Sequence, residues 1–379
     1  MPIYYYIILI VFFIALILTL IFSKRKKKTK GHISSTYIDS LHLLLEGKKN
    51  KAIQKLKTTV KNNSDNIMAY NTLGNLFREQ GYPEQAAKIH KSLVIREDIP
   101  KSMLDRIYNY LIKDYIEAEQ FDKAIYTANK LEKKAKKNIK NNYTLLSLYE
   151  KKRDWENAFN CRQRIDKMEK TKSKHLLALY KVQTGLDLVD KEQEHDARLA
   201  FREAIKIDKK CISAYLYLGD SYRRCNRQND AVKSWKELTE NIPEKAYLVF
   251  DRLKEILFEL GIYGEIEDIY QQIIKKDKNN IPTLIALVEF YKKQGQDDKA
   301  INLCNQVLAK EPQNAKANYL LITLLQNQRN NVEALQKALN YLKSEQKQNQ
   351  YFTCSECNYT SDKPLWLCPE CHNWDTFIE

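Results

Sequence analysis

The chain has 379 residues, a formal net charge of +15 and only nine glycines and eight prolines. This length excludes one compact core of ordinary size but suits a helical repeat array with appended segments. The charge does not indicate a nucleic-acid-binding protein, because six cations form one cluster at residues 24–30 and the others share helical faces with 48 acidic residues. No nucleic-acid-reading module is recognisable, so we expect no nucleic-acid partner.

The first predicted element is an apolar segment at residues 3–22, interrupted only by Thr19 and three tyrosines. Twenty helical residues span about 30 Å, the thickness of a bilayer's hydrocarbon core. A cleaved signal peptide is the alternative, but the cations follow the apolar run and no small-x-small cleavage site is present. We therefore expect a single-pass transmembrane anchor at residues 1–23 and a basic juxtamembrane linker at residues 24–35. The positive-inside rule places everything after the anchor in the cytoplasm.

A helix-pair pattern follows the linker and is clearest at residues 212–243. There Gly219 and Tyr222 lie at helical spacing on one helix, and Ala231 and Trp235 lie on the next. The two small residues let the helices approach closely, and the aromatic rings fill the space around them. A large–small–large pattern over about 34 residues is typical of a tetratricopeptide repeat.

Equivalent small positions recur at intervals of 34–39 residues. They are Ala52, Ala86, Ala124, Ala158, Ala197, Ala231, Ile266 and Ala300. At Ile266 the larger side chain predicts helices that sit slightly further apart. The pattern predicts eight helix pairs and one degenerate pair at residues 315–342, together forming a tetratricopeptide-repeat array over residues 36–345. Stacked helix pairs of this kind curve into a superhelix with a concave groove.

The groove of such an array is lined mainly by the first helix of each repeat, on the face opposite to its packing residues. In the second repeat this face carries Asn71, Asn75 and Arg78, and in the sixth it carries Asp220 and Arg223. Amide and guanidinium groups can hold a partner's backbone or carboxylates. These five residues are candidate partner-binding residues, with plain solvated side chains as the alternative.

The eight cysteines fall into two groups. Four are scattered through the repeats without regular spacing, and we expect them to be reduced, small apolar residues: Cys161, Cys211, Cys225 and Cys304. The other four form two C-x2-C units separated by ten residues: Cys354, Cys357, Cys368 and Cys371. This second pattern is the one that predicts a site.

Each C-x2-C unit predicts a tight turn whose backbone N–H groups point at the thiolates, and two facing turns place four sulfurs in a tetrahedron. Residues 351–379 are too few to bury a core, so a metal would supply their folding energy. One zinc or one iron ion fits such a tetrahedron equally well. We favour zinc, because nothing nearby suggests an electron-transfer partner. Four filled coordination positions argue against a hydrolytic metal site.

The residues around these cysteines support the prediction. Asn358 follows the first unit, where a left-handed backbone is often needed and asparagine tolerates it. The aromatic residues of the segment can pack around the site: Tyr351, Trp366, Trp374 and Phe377. His372 is not needed as a ligand, and we expect it to be exposed.

No catalytic motif is present. The phosphate-binding G-x4-G-K-[ST], the dinucleotide-binding G-x-G-x-x-G, the zinc-protease H-E-x-x-H and the hydrolase G-x-S-x-G are all absent. The six histidines form no obvious cluster, and His90 occupies a helix-packing position. We therefore predict a protein that is not an enzyme.

The order of anchor, repeat array and four-cysteine ribbon resembles the lipopolysaccharide assembly protein B family of Gram-negative bacteria. Two stretches carry the detail: residues 73–78 (LGNLFR) followed by Ala86 and His90, and the C-terminal C-x2-C units with Trp366 and Trp374. The ribbon of that family is described as rubredoxin-like. Here Asn358 replaces the usual glycine, and the sequence ends soon after Trp374.

The resemblance implies a non-enzymatic adaptor and scaffold in the bacterial inner membrane, with its body facing the cytoplasm. It implies that the protein promotes degradation of the lipid A committed-step deacetylase by the membrane-bound AAA+ protease FtsH. It also implies that other lipopolysaccharide biosynthesis or transport proteins gather on the scaffold. The anchor would contact the protease or a regulatory membrane protein, the groove would present the client, and the ribbon would fold back on the array. Whether the protein forms a homo-oligomer stays open.

Two other functions stay open from the sequence. One is a rubredoxin-like redox module in which the four cysteines hold iron and pass electrons. The other is a generic membrane-tethered scaffold unrelated to lipopolysaccharide. Metal analysis distinguishes the redox module from the adaptor. The cellular level of the deacetylase distinguishes the generic scaffold from the adaptor.

Overall fold

The computed structural model describes residues 35–97, 99–134, 138–312, 314–327 and 352–378. The predicted anchor, nearly all of the basic linker and the second half of the degenerate last pair lie outside the described residues. Among the helices within these ranges, none combines the length and the apolar character that crossing a bilayer requires.

The described chain is mostly helical and separates by its contacts into two units, Met1–Asn141 and Asn142–Glu379. The helices of the first are α1 (Ser35–Leu45), α2 (Lys49–Asn62), α3 (Ile67–Glu79), α4 (Pro83–Val94), α5 (Lys101–Glu117) and α6 (Phe121–Lys134). Helix α7 (Ile139–Lys151) spans the division. The second contains α8 (Trp155–Glu169), α9 (Lys174–Val189), α10 (Glu194–Ile207), α11 (Ile212–Arg224), α12 (Gln228–Asn241), α13 (Phe250–Glu259), α14 (Glu265–Lys276), α15 (Ile281–Lys293), α16 (Asp297–Lys310) and α17 (Ala315–Asn327).

Helices α1 to α16 pair consecutively into the eight predicted repeats. All eight small-residue positions are fully buried, including the Ile266 position. A 3-10 helix, Pro243–Val249, separates α12 from α13, because the ring of Pro243 cannot continue the preceding helix. The repeat period read from the sequence is thus confirmed by burial at every copy.

Glycine on a first helix makes room for a ring on the second. A Cβ built on Gly219 would lie 2.1 Å from Nε1 of Trp235, and one on Gly185 would lie 2.4 Å from the Phe201 ring. The indole N–H of Trp235 donates to the carbonyl of Leu216 at 3.4 Å. The ring therefore occupies the space of the missing side chain and brings the two helix backbones together.

The scattered cysteines behave mostly as expected. Cys161, Cys211 and Cys304 are buried, and burial raises the pKa of the Cys211 and Cys304 thiols to about 11. Cys225 is also free but, unlike the other three, is exposed. It is the C-terminal cap of α11, where the chain turns at the surface.

The C-terminal ribbon is a small antiparallel sheet of β1 (Phe352–Cys354), β2 (Thr360–Ser361) and β3 (Phe377–Ile378), in the order β2-β1-β3. An isolated bridge joins Leu367 to Trp374. These short pairings bury little apolar surface, so the ribbon depends on other contacts for its stability.

Candidate metal centre and its docking surface

Two similar turns place the four cysteines. The N–H of Asn358 donates to the carbonyl of Cys354 at 2.9 Å, and the N–H of His372 donates to that of Cys368 at 3.0 Å. Asn358 has a φ of 59°, which confirms the predicted left-handed residue, and His372 occupies the matching position with a φ of 57°. The sequence did not reveal this role of His372, because histidine signals a left-handed position less clearly than asparagine. Its side chain is exposed, as predicted.

The four sulfur atoms lie within 4.8 Å of one another. The Sγ atoms of Cys354 and Cys371 are 3.6 Å apart, as are those of Cys357 and Cys368. A tetrahedron with metal–sulfur bonds of about 2.3 Å has sulfur–sulfur edges of about 3.8 Å. The arrangement therefore fits a rubredoxin-like site for one ion, and its size suits zinc and iron alike.

The protonation of these thiols also favours a cation. Burial opposes ionisation of Cys354, but the Thr376 hydroxyl and nearby backbone N–H groups outweigh it and lower the pKa of this thiol to about 6. The pKa of Cys357 is instead raised to about 12: a backbone hydrogen bond from Tyr359 favours the thiolate, while burial and the neighbouring thiols oppose it. Close thiols thus resist becoming thiolates together, and a metal ion supplies the positive charge that permits it.

The ribbon packs against repeat helices of the second unit through its two tryptophans. The ring of Trp374 packs edge-on against Trp155 of α8 and Tyr180 of α9. The distances between ring centroids are 6.0 and 5.3 Å. The ring of Trp366 meets Tyr217 of α11 at 6.2 Å. The sequence predicts that these tryptophans pack around the metal site; in the structure their rings join the ribbon to the array. Phe377 stays within the ribbon, against Tyr359 at 6.4 Å, and Tyr351 lies outside the described residues.

A histidine between two carboxylates adds an ionic contact. Nδ1 of His175 lies 2.6 Å from Oδ2 of Asp208, and its Nε2 lies 3.3 Å from Oδ2 of Asp375 in the ribbon. Asp375, against the opposing effect of burial and together with Asp208, raises the pKa of His175 to about 9. His175 in turn holds the pKa of Asp375 below its usual value. At neutral pH an imidazolium therefore bridges the array and the ribbon.

A half-buried carboxylate supports the aromatic contacts. Glu150 accepts hydrogen bonds from the Tyr180 hydroxyl at 2.5 Å and from the Trp374 indole. Burial raises the pKa of Glu150 despite these bonds. The indole N–H of Trp155 donates to Asp187 at 2.9 Å. The rings of Tyr180, Trp155 and Trp374 are thus oriented by polar partners as well as by packing.

One groove candidate of the second repeat, Arg78, connects successive repeats and also binds a second candidate, Asn75. Arg78 donates to Asp114 of α5 at 2.8 Å and to Asn75 at 3.1 Å. Asp114 is fully buried and also lies 2.5 Å from Nδ1 of His90. Oδ1 of Asn71 is buried and has no hydrogen-bond partner in the described part of the chain.

The candidates in the sixth repeat are engaged in the same way. Arg252 of α13 donates twice to Asp220, at 2.7 and 3.1 Å. Arg223 donates to Glu255 at 2.7 Å and to Glu259 at 2.9 Å. Oppositely charged side chains on the first helices of the sixth and seventh repeats face each other. These side chains therefore link the two repeats. Their use by a partner stays a prediction.

The docking residues were missed at the sequence level. Three large aromatic residues lie beside the packing pattern and not on its small positions: Trp155, Tyr180 and Tyr217. Their aromatic side chains were the only hint in the sequence that they form a contact surface. His175 and Asp375 are 200 positions apart, and their pairing exists only in the folded chain.

Comparisons with known proteins agree with this architecture. The family described as Rubredoxin metal binding domain matches residues 352–379, and the Tetratricopeptide repeat family matches residues 257–321. Lipopolysaccharide assembly protein B of Escherichia coli (strain K12) is 20% identical over 346 residues, which cover 91% of this chain and 89% of that protein. The protein of the same name from Haemophilus influenzae is 24% identical over 364 residues, with the same coverage.

A repeat protein of another kind also matches, but over less of the chain. Superkiller protein 3 of Saccharomyces cerevisiae is 24% identical over 196 residues, which are 50% of this chain and 13% of that protein. The lipopolysaccharide assembly proteins match the array and the ribbon together. The chain thus resembles lipopolysaccharide assembly protein B over nine-tenths of its length, with tetratricopeptide repeats and a rubredoxin-type four-cysteine domain.

Proposed function

We propose that this protein is a non-enzymatic adaptor and scaffold that regulates lipopolysaccharide biosynthesis at the bacterial inner membrane. The observation that carries the proposal is the similarity, over 91% of the chain, to two proteins named for lipopolysaccharide assembly. The apolar segment at residues 3–22 is the proposed single-pass anchor, with the repeats and the ribbon facing the cytoplasm.

The proposed activity is control of proteolysis. The adaptor presents the lipid A committed-step deacetylase to the membrane-bound AAA+ protease FtsH and gathers other lipopolysaccharide biosynthesis or transport proteins. Tetratricopeptide arrays support such a role, because stacked helix pairs expose long binding surfaces. The client-binding candidates remain Asn71, Asn75, Arg78, Asp220 and Arg223.

The proposed metal is zinc, bound by Cys354, Cys357, Cys368 and Cys371 as a closed structural site. Its role would be to fold the ribbon so that Trp366, Trp374 and Asp375 reach the array. Metal analysis of protein purified from native cells tests this assignment. Zinc at one ion per chain supports it, and a red, redox-active protein with a full complement of iron would favour the redox module instead.

The function is tested by depleting the protein and following the deacetylase by immunoblot. We expect the deacetylase level to rise, because its degradation loses the adaptor. An unchanged level would contradict the adaptor function and favour a scaffold unrelated to lipopolysaccharide. A pull-down from membranes with the anchor intact, read by mass spectrometry, should recover the protease and the deacetylase.

Two variants separate folding of the ribbon from its docking. Cys368→Ser removes one thiolate and should abolish both metal retention and regulation. Trp374→Ala keeps all four thiolates but removes the contacts to Trp155 and Tyr180; it should retain metal and lose regulation. Cys225→Ser, at an exposed cysteine outside the ribbon, is the matched control. If regulation survives Cys368→Ser, the ribbon is dispensable.

A further inference from the structure

Three arginines surround the ring of Tyr222, close to the turn that joins α11 to α12. The Cζ atoms of Arg198 and Arg202, both on α10, lie 5.3 and 5.7 Å from the ring centroid. That of Arg227 lies 4.8 Å from it. Arg227 pairs with Asp230 at 2.6 Å, so its charge is compensated. The other two arginines differ in this respect.

Arg198 is only 8% exposed and has no carboxylate as a direct partner. Its Nη1 donates to the hydroxyl of Ser221 at 3.3 Å and to the thiol of Cys225 at 3.2 Å. Its Nε and Nη2 make no hydrogen bond within the described part of the chain. Buried arginines are nearly always paired with an acid, and contact with one aromatic ring replaces only part of that stabilisation. An anion from outside the chain would supply the rest.

The acidic residues of α10 are bound to other side chains. Two of them bind outside this cluster: Asp196 binds His195, and Glu203 binds Lys181. The third, Glu194, pairs with Arg224 at 2.5 Å and is linked to Arg198 only through the Ser221 hydroxyl, which donates to it. The cluster therefore keeps an excess of positive charge.

Arg202 adds a second uncompensated cation one helical turn away. It is exposed, its Nη2 donates to the Tyr222 hydroxyl, and it forms no ion pair within the described residues. Residues four positions apart on a helix have Cβ atoms about 5–6 Å apart, and like charges at this spacing repel. Because the two guanidinium groups share one ring, a single compact anion with several oxygens suits them better than two separate carboxylates.

We propose that Arg198 and Arg202 bind a phosphate monoester. Such a group carries a charge of about −1.5 to −2 at pH 7, which matches two uncompensated arginines. The free nitrogens of both side chains would donate to the phosphate oxygens, and the Tyr222 ring would hold the guanidinium groups in place. Soluble metabolites and lipid headgroups both offer this chemistry. The proposal goes beyond the adaptor function, and its failure would leave that function untouched.

Cys225 supplies a local readout, because its thiol is exposed and lies 3.2 Å from Nη1 of Arg198. The full-length protein in dodecyl maltoside micelles is alkylated with iodoacetamide, and modification of Cys225 is quantified by peptide mass spectrometry. Glycerol 3-phosphate should slow alkylation saturably, and chloride at the same ionic strength should not. Broadening of the ³¹P resonance of glycerol 3-phosphate measures binding without relying on Cys225. Equal slowing by chloride would mean simple screening and overturn the proposal.

Two further probes identify the source and the chemistry of the anion. Nanodiscs containing phosphatidic acid present the monoester on a lipid, with nanodiscs of phosphatidylcholine alone as their control. Slower alkylation with phosphatidic acid but not with glycerol 3-phosphate would assign the site to a lipid headgroup. An effect of neither probe rejects the proposal. Succinate carries two carboxylates, and protection as strong as that by glycerol 3-phosphate would show that the site does not select phosphate.

Charge-removing variants test the two arginines. Arg202→Gln should weaken glycerol 3-phosphate binding about tenfold, because hydrogen bonds to a charged group are lost. Arg198→Gln should have a similar effect, with circular dichroism to check that the array still folds. Arg106→Gln is the matched control, at an exposed arginine of α5 that has no second arginine one turn away. It should leave binding unchanged, and equal weakening by Arg202→Gln and Arg106→Gln would contradict a local site.

Discussion

At the scale of single residues, the close approach of paired helices depends on glycine facing a ring. Gly74, Gly185 and Gly219 each lie against a ring sixteen positions later in the chain, and an added Cβ would approach that ring to 2.6, 2.4 and 2.1 Å. The three rings are the imidazole of His90, the phenyl ring of Phe201 and the indole of Trp235. A flat buried ring has no free space to retreat into, because protein interiors are close-packed.

Gly219→Ala should therefore lower the free energy of unfolding by about 1–3 kcal/mol, the usual cost of overpacking. Urea unfolding followed by circular dichroism measures the effect. Gly264→Ala is the control, because nothing lies within 4 Å of its added Cβ. That variant should be neutral or more stable by about 0.4–1 kcal/mol. Equal destabilisation of both would rule out the ring contact as the cause.

A second feature at this scale is the buried carboxylate of Asp114. It accepts from Arg78 at 2.8 Å and lies 2.5 Å from Nδ1 of His90, and both Asp114 and His90 are fully buried. Arg78 also lies over the ring of Tyr110, 5.6 Å from its centroid. A candidate partner-binding residue is thus already part of a buried network between the second and third repeats.

Asp114→Ala should destabilise the first unit by about 3–5 kcal/mol, because Arg78 loses its buried counter-charge. Glu117→Gln is the matched control: its carboxylate lies 3.5 Å from Arg78 but is half exposed, so the loss should stay under about 1 kcal/mol. Thermal unfolding of the two variants provides the comparison. A small effect of Asp114→Ala would mean that the network contributes little to stability.

At the scale of elements, the ribbon is joined to α9 by a charge that titrates. The pKa of His175 is raised from 6.5 to about 9 by Asp375 and Asp208, against burial. Three lysines also face this group: Lys172 and Lys174 beside it, and Lys245 near Asp375. Because docking raises the pKa of His175, protonated His175 stabilises docking fully at pH values below the ordinary histidine pKa. This stabilisation is lost as the pH rises through the raised pKa.

Docking should therefore weaken between pH 6.5 and about 9. Acrylamide quenching of tryptophan fluorescence measures it, since undocking exposes Trp155, Trp366 and Trp374. His175→Gln should make quenching less dependent on pH in this window. His195→Gln, at a histidine whose side chain is 79% exposed, should behave like the unchanged protein. A full pH response in His175→Gln would assign the transition to another group.

At the scale of the whole molecule, the four-cysteine ribbon packs against helices that lie far from it in the sequence. The ribbon residues that make these contacts, Trp366, Trp374 and Asp375, meet helices within Asn142–Glu379. Since closed four-thiolate sites couple metal binding to folding, losing the ion should release the ribbon from those helices.

Removal of the metal by a chelator should raise hydrogen exchange in residues 352–378 and in helices α8, α9 and α11. Exchange within the repeats of Met1–Asn141 should stay the same. Hydrogen exchange read by mass spectrometry gives both values in one experiment, and readdition of zinc should reverse the change. Equal deprotection of the first unit would show that the effect is not confined to the docking surface.

The sequence by itself determined the repeat register and the four-cysteine centre. Both follow from short-range rules: a small residue must recur wherever two helices touch, and C-x2-C spacing places thiols on one turn. Asn358 and the buried positions from Ala52 to Ala300 were predictable for the same reason.

Only the tertiary structure decided where the ribbon docks and what the charged groove residues contact. The contacts of Trp374 with Trp155 and of His175 with Asp375 join residues about 200 positions apart, and no local pattern encodes such pairs. Arg78, Asp220 and Arg223 look like free groove residues in sequence, because their partners lie one repeat further along. Periodicity identifies which face a side chain occupies, whereas the stacking of repeats decides which opposite charge it meets.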